Sequence, residues 1–129
     1  MRILVTKWFD RWRRKEAISD MALCVTVDGM ERGLIDGNLG GNLYKMRVAA
    51  PGRGKRGSHR VLLAFKSKER ACFIYGFTKS VRENIDDKEE RALKALAKEL
   101  LGCDAKAIRK AIKVYELREV RCDDEQEQE

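Results

Sequence analysis

The sequence predicts a small α+β domain: an antiparallel sheet of about four strands, two N-terminal helices packed on one face, and C-terminal helices after the last strand. Three observations predict it. A short β-branched run opens the chain, three strand-like runs fill its middle, and amphipathic stretches with capping signals flank them. At 129 residues the chain suits one domain, long enough to bury a core without covalent staples.

Residues 2–6, RILVT, read as a strand. Thr6 can cap a following helix with Trp8, Phe9 and Trp12 on its buried side and the bases of Arg11 to Lys15 opposite. Asp20 offers a second cap, and Leu23, Val27, Met30 and Leu34 follow at helical spacing, although Val25, Thr26 and Val27 are weak helix formers. Residues 36–42, DGNLGGN, form a turn cluster. Strand-like runs occupy 43–50, 60–66 and 71–79, and the short turn SKER makes a hairpin of the last two. Asp86 and Glu89 have capping-box spacing before a helix with Leu93, Leu96, Ala97, Leu100 and Leu101 on one stripe, stopped by Gly102. Asp104 caps a last helix running to residue 119, with Ile108, Ala111, Ile112 and Tyr115 on one side. The predicted order is β-α-α-β-β-β-α-α, with no internal repeat. It divides into a core at 1–101, an extra helix packed on it at 102–122 and an acidic, disordered tail at 123–129.

The net charge of +7 is unevenly spread. From Lys45 to Arg82 there are eleven Lys and Arg against one acid, Glu69, whereas residues 1–44 and 83–122 each carry a net +1. Such a basic centre attracts phosphate chains by steering and counterion release. No apolar run approaches the length of a membrane span, and the N-terminal apolar stretch is too short for a signal-peptide core, so a cytoplasmic protein is expected. Cys24, Cys72, Cys103 and Cys122 are widely spaced and form no CxxC pair, which predicts reduced packing thiols. With one histidine, His59, and no clustered ligands, no metal site or cofactor is expected. The Gly-rich loop PGRGKRGSH at 51–59 lacks the GxxxxGK[ST] spacing of a nucleotide triphosphatase.

Strand alternation sorts the middle third into faces. Tyr44, Met46 and Val48 should meet the N-terminal helices, leaving Lys45 and Arg47 on the opposite face, about 6.5–7 Å apart along the strand. Burying both without anions would be costly, so that face is open or binds an anion. Phe73, Tyr75, Phe77 and Lys79 share a face by the same count. If it is the face of Lys45 and Arg47, rings and cations interleave as single-stranded nucleic acid requires.

The stretches GLIDGNLGGNLYKMRV, GRGKRGSHRVLLAF and FIYGFTKSVRENI together resemble the RelE/ParE-type bacterial toxins, and within them a RelE/HigB-like subgroup with a Gly- and Lys-rich loop. The resemblance spans roughly residues 20–101. It implies an mRNA interferase, often ribosome-dependent, acting on RNA and neutralised by a cognate antitoxin protein. The catalytic positions it implies are Lys45, Arg47, Arg60 and Lys79. RNA contacts are expected from Lys55, Arg56, His59, Tyr75, Phe77 and Arg82. RNA's own 2′-OH would attack the adjacent phosphate, with Arg47 and Arg60 holding the phosphoryl charge, Lys45 or His59 as base, and Lys79 or Tyr75 protonating the leaving oxygen.

Two rivals predict different structures. A gyrase-inhibiting ParE-like toxin on the same scaffold needs no organised basic pocket. A non-enzymatic DNA binder would use the two C-terminal helices, joined around Gly102, as a helix-turn-helix.

Overall fold

The structure is a computed structural model and describes residues 1–48 and 59–122. The elements in chain order are β1 (Arg2–Thr6), α1 (Lys7–Lys15), α2 (Asp20–Glu31), β2 (Gly37–Gly40), β3 (Leu43–Val48), β4 (His59–Lys66), β5 (Arg70–Thr78), α3 (Asp87–Gly102), α4 (Ala105–Lys113) and β6 (Leu117–Val120). Most of the basic loop, with Lys55 and Arg56, and the acidic tail at 123–129 lie outside the described residues.

The α+β class holds, but the sheet is larger than expected and mixed. Six strands lie in the order β2-β3-β4-β5-β1-β6. β3, β4 and β5 form the predicted antiparallel meander, whereas β1 runs parallel to β5. β2 forms within the stretch expected as a turn cluster, and β6 within the stretch expected as helix. The break before β6 is a Schellman turn: Tyr115 donates to the Ile112 carbonyl and Glu116 to that of Ala111. It puts Tyr115 at φ +65°, where glycine is usual, so the sequence carries no stop signal there.

Local signals otherwise position the helices largely as predicted. Thr6 accepts from the Phe9 N–H at 3.2 Å, and Asp86 and Glu89 complete the capping box. Asp104 caps α4, while Ser19 rather than Asp20 caps α2.

Each face of the sheet has its own core. On one, Val5, Met46, Val48, Val61, Leu63 and Phe73 meet Phe9 of α1 and Leu23, Val27 and Met30 of α2. On the other, Leu4, Leu43, Leu62, Ala64 and Cys72 meet Ala97 of α3 and Ile108 of α4. Residues 61–65 of β4 are buried on both sides, as befits a central strand. Because α3 and α4 sink their apolar stripes into this face, they are core-covering helices. Cys24 and Cys122 form a disulfide, against the expectation of four thiols; Cys72 and Cys103 are free. No helix among the described residues is long and apolar enough to cross a membrane.

Candidate active site

The register of the meander builds the site. Arg47 lies directly opposite Arg60, and Arg60 opposite Phe77. In the next row on the same face, Lys45 lies opposite Leu62, and Leu62 opposite Tyr75. Directly opposed side chains stand about 4.5–5.5 Å apart at Cβ, so Lys45, Arg47 and Arg60 converge at one end of the face, beside the region that α3 covers.

Two like charges directly opposed on a sheet repel each other. Asp36, in the turn before β2, relieves this pair. Its carboxylate accepts from the Arg47 N–H at 2.9 Å and from the Arg47 guanidinium at 3.1 Å. Partial burial pushes the Asp36 carboxyl up, but the Arg47 hydrogen bonds and the charges of Arg47 and Arg60 outweigh it and hold it below the usual carboxylate range. Asp36, Lys45, Met46, Arg47 and Arg60 line a cavity of about 220 Å³. Lys45 Nζ donates to Asn84 Oδ1 at 3.2 Å, which also accepts from the Ile85 N–H. Arg60 donates to the His59 carbonyl at 3.3 Å.

Four residues expected at the site are placed elsewhere or occupied. His59 is fully buried on the helix face, its Nε2 2.7 Å from Glu16 Oε1 and its ring edge-on to Trp12, so it cannot meet RNA on the Lys45 side. Phe77 is buried in the α3-side core, which removes its ring as a stacking surface. Arg82 is committed internally, to Glu89 at 2.6 and 2.9 Å, the Tyr75 hydroxyl at 3.3 Å and the Asn84 carbonyl at 3.0 Å. Lys79 is exposed one residue past β5 and does not line the cavity.

The expected aromatic face is also split. A bulge at Ile74 shifts the β4–β5 register between Leu62 and Leu63. Phe73 therefore joins the α1 side, stacked on Phe9 at 5.2 Å, while Tyr75 keeps to the Lys45 side. Tyr75 is the one ring of the four-residue set left partly exposed on the Lys45 side.

Sequence reasoning missed Asp36 and Asn84. Asp36 sits in an Asp-Gly turn signal, and nothing local marks it as the partner of a strand residue eleven positions on.

A model of the RelE toxin family, described as the RelE toxin of the RelE / RelB toxin-antitoxin system, matches residues 1–120. The chain belongs to the RelE toxin family. No curated protein matches it. The family match runs through α4 and β6, past the Leu101 boundary expected for the core. As a RelE-family toxin it is the toxic half of a toxin–antitoxin pair, and its cationic cavity is the feature to be explained.

Proposed function

We propose that this RelE-family toxin is an endoribonuclease that cleaves mRNA at the cavity between Lys45, Arg47 and Arg60. The observation that carries this reading is the direct opposition of Arg47 and Arg60 across β3 and β4, with Lys45 in the adjoining row, all three lining one cavity. A phosphodiester is an anion that two directly opposed guanidinium groups can hold between them. Each presents paired N–H donors that match phosphoryl oxygens.

In the proposed reaction the ribose 2′-oxygen forms a bond to phosphorus and the bond from phosphorus to the 5′-oxygen breaks, leaving a 2′,3′-cyclic phosphate. Arg47 and Arg60 stabilise the charge that gathers on the non-bridging oxygens, where fixed donors act most strongly. With His59 buried, Lys45 is the cavity group that takes the 2′-OH proton. Tyr75, its hydroxyl steadied by Arg82, returns a proton to the leaving oxygen. Asp36 acts as a positioning residue: it holds Arg47 by backbone and side chain and yields the guanidinium to phosphate when RNA enters.

Brief induced expression with mapping of mRNA 5′ ends tests this. Wild type should generate new 5′ ends. Arg47→Ala should lose cleavage by about 10²–10³-fold, the usual loss on removing one such donor, and the Lys45→Ala/Arg47→Ala double variant should abolish it. Both side chains sit at the surface end of the sheet, so folding should be unaffected. Undiminished cleavage by Arg47→Ala removes it from the mechanism. A DNA-damage response with no new 5′ ends would instead indicate a gyrase-directed toxin.

A further inference from the structure

Helix α1 inverts the usual sorting of side chains. Arg13 is 5% exposed while Trp8 is 46% exposed. The buried arginine is explained by its partners: Asp10 at 2.8 Å, Asp20 at 2.6 Å and the Ile18 carbonyl at 3.1 Å. Trp8 has no comparable structural reason. It belongs to neither of the apolar cores.

A lone exposed apolar side chain needs no explanation, but Trp8 is not alone. Its ring stacks on Tyr75, with centroids 4.6 Å apart and planes at 24°. Tyr75 stands in the cross-strand row of Lys45 and Leu62. Trp8 thus extends that row past the end of β1, from the cationic cavity toward the surface of α1. Trp12 lies next along, its centroid 6.3 Å from that of Trp8 and its plane at 12° to it.

The charge on α1 points the same way. Arg11 and Lys15 follow Trp8 at i+3 and i+7, on the same stripe of the helix. Both are exposed, and among the described residues neither enters an ion pair, while the one acid of the helix, Asp10, is held by Arg13, Arg14 and Arg118. The stripe from Trp8 to Lys15 is about 10 Å long at the helical rise. An exposed indole beside unpaired cations, stacked on the half-buried Tyr75 at the end of the row that begins with Lys45, is an arrangement suited to single-stranded nucleic acid. The base stacks on the ring and the backbone meets the cations.

We propose that Trp8, with Arg11 and Lys15, carries the RNA-binding surface from the sheet onto α1, the indole stacking on an unpaired base that flanks the cleaved phosphate. This deepens the RNA-cleaving reading above and rests on it. It adds a second contact region, for single-stranded RNA on one side of the scissile bond.

The test uses 2′-O-methyl RNA, which lacks the attacking hydroxyl, as a fluorescent single-stranded probe, free and loaded on ribosomes. Wild type, Trp8→Ala, Trp8→Phe and Arg47→Ala are compared by anisotropy. Loss of one stacking platform should raise Kd about ten-fold in Trp8→Ala, with Trp8→Phe recovering most of it. Arg11→Gln/Lys15→Gln should lower the salt slope by about 1.4, roughly 0.7 for each phosphate contact on a single strand. A probe carrying 4-thiouridine should photocross-link to the tryptic peptide Trp8–Arg11, a direct contact that a merely structural role for Trp8 would not give. RNA binding that depends on Arg47 but not on Trp8, with cross-links only to other peptides, overturns this inference and leaves the RNA-cleaving reading standing. Absence of RNA binding both free and on ribosomes overturns both. Unchanged RNA binding with loss of antitoxin binding in Trp8→Ala overturns it in favour of a protein-docking role.

Discussion

Arg82 and Glu89 lie seven residues apart and meet through two charge-assisted hydrogen bonds, at 2.6 and 2.9 Å. The Arg82 bonds, with those that Glu89 makes in the capping box, hold the Glu89 carboxyl down at about 2, against an ordinary value of 4.5. A carboxylate depressed in the folded state stabilises it fully above its ordinary value, and that contribution falls away as pH drops from 4.5 toward 2. A carboxyl NMR titration should therefore place the Glu89 midpoint near the lower figure. Arg82→Gln should move it back toward the ordinary one, the capping-box bonds still holding it somewhat below, and a midpoint near 4.5 in the wild type would break the assignment. The residue scale also separates Arg47 from Arg82. Charge alone assigns both to RNA, but Arg82 bridges β5 and the start of α3, while Arg47 stays 55% exposed beside the cavity, held by one carboxylate.

Among the elements, β5 decides most about the site. Its bulge at Ile74 turns Tyr75 toward Lys45 and sends Phe73 to the opposite core. Two residues on, Gly76 passes directly beneath the Trp12 ring, and a Cβ there would overlap Cζ3 and Cη2 of the indole. Gly76→Ala must displace either β5 or α1, so chemical denaturation should show a loss of about 1–3 kcal/mol, the usual cost of overpacking. An unchanged midpoint would mean that α1 sits less closely on β5 than the structure has it. α1 itself ends in a left-handed residue, Ala17 at φ +60°, with Ile18 donating back to the Arg13 carbonyl. That turn aims α2 back across the sheet and brings Asp20 to Arg13 and Arg118.

For the molecule as a whole, β6 is what ties the C-terminal part of the chain to the N-terminal part. It pairs with β1, sets Arg118 against Asp10 and Asp20, and Cys122 just beyond it is joined to Cys24 in α2. The bridged cysteines are 98 residues apart, so the link closes nearly the whole described chain into one loop. Reduction, or Cys24→Ser/Cys122→Ser, should lower the unfolding free energy by about 2–4 kcal/mol, read from denaturation midpoints with and without reductant. The serine variant should no longer respond to reductant; equal midpoints for oxidised and reduced wild type would dismiss the bridge.

The amino-acid sequence by itself determined whatever depends on neighbours a few residues apart. Thr6, Asp86 with Glu89, and Asp104 announce helix starts, and the alternation of β3 places Lys45 and Arg47 away from Met46 and Val48. Together with the excess of Lys and Arg between 45 and 82, this makes a basic strand surface legible in the residue order alone. What only the tertiary structure decided was everything set by pairing across long separations. No local pattern shows that β1 will run parallel to β5, that Cys24 will find Cys122, or that Asp36 will hold Arg47. Nor does any show that one bulge will divide an aromatic set, or that α1 will bury His59 and Arg13 and leave Trp8 in view. Periodicity reports which face a side chain takes, but what covers that face is settled by which elements pack there, and that is a property of the assembled core.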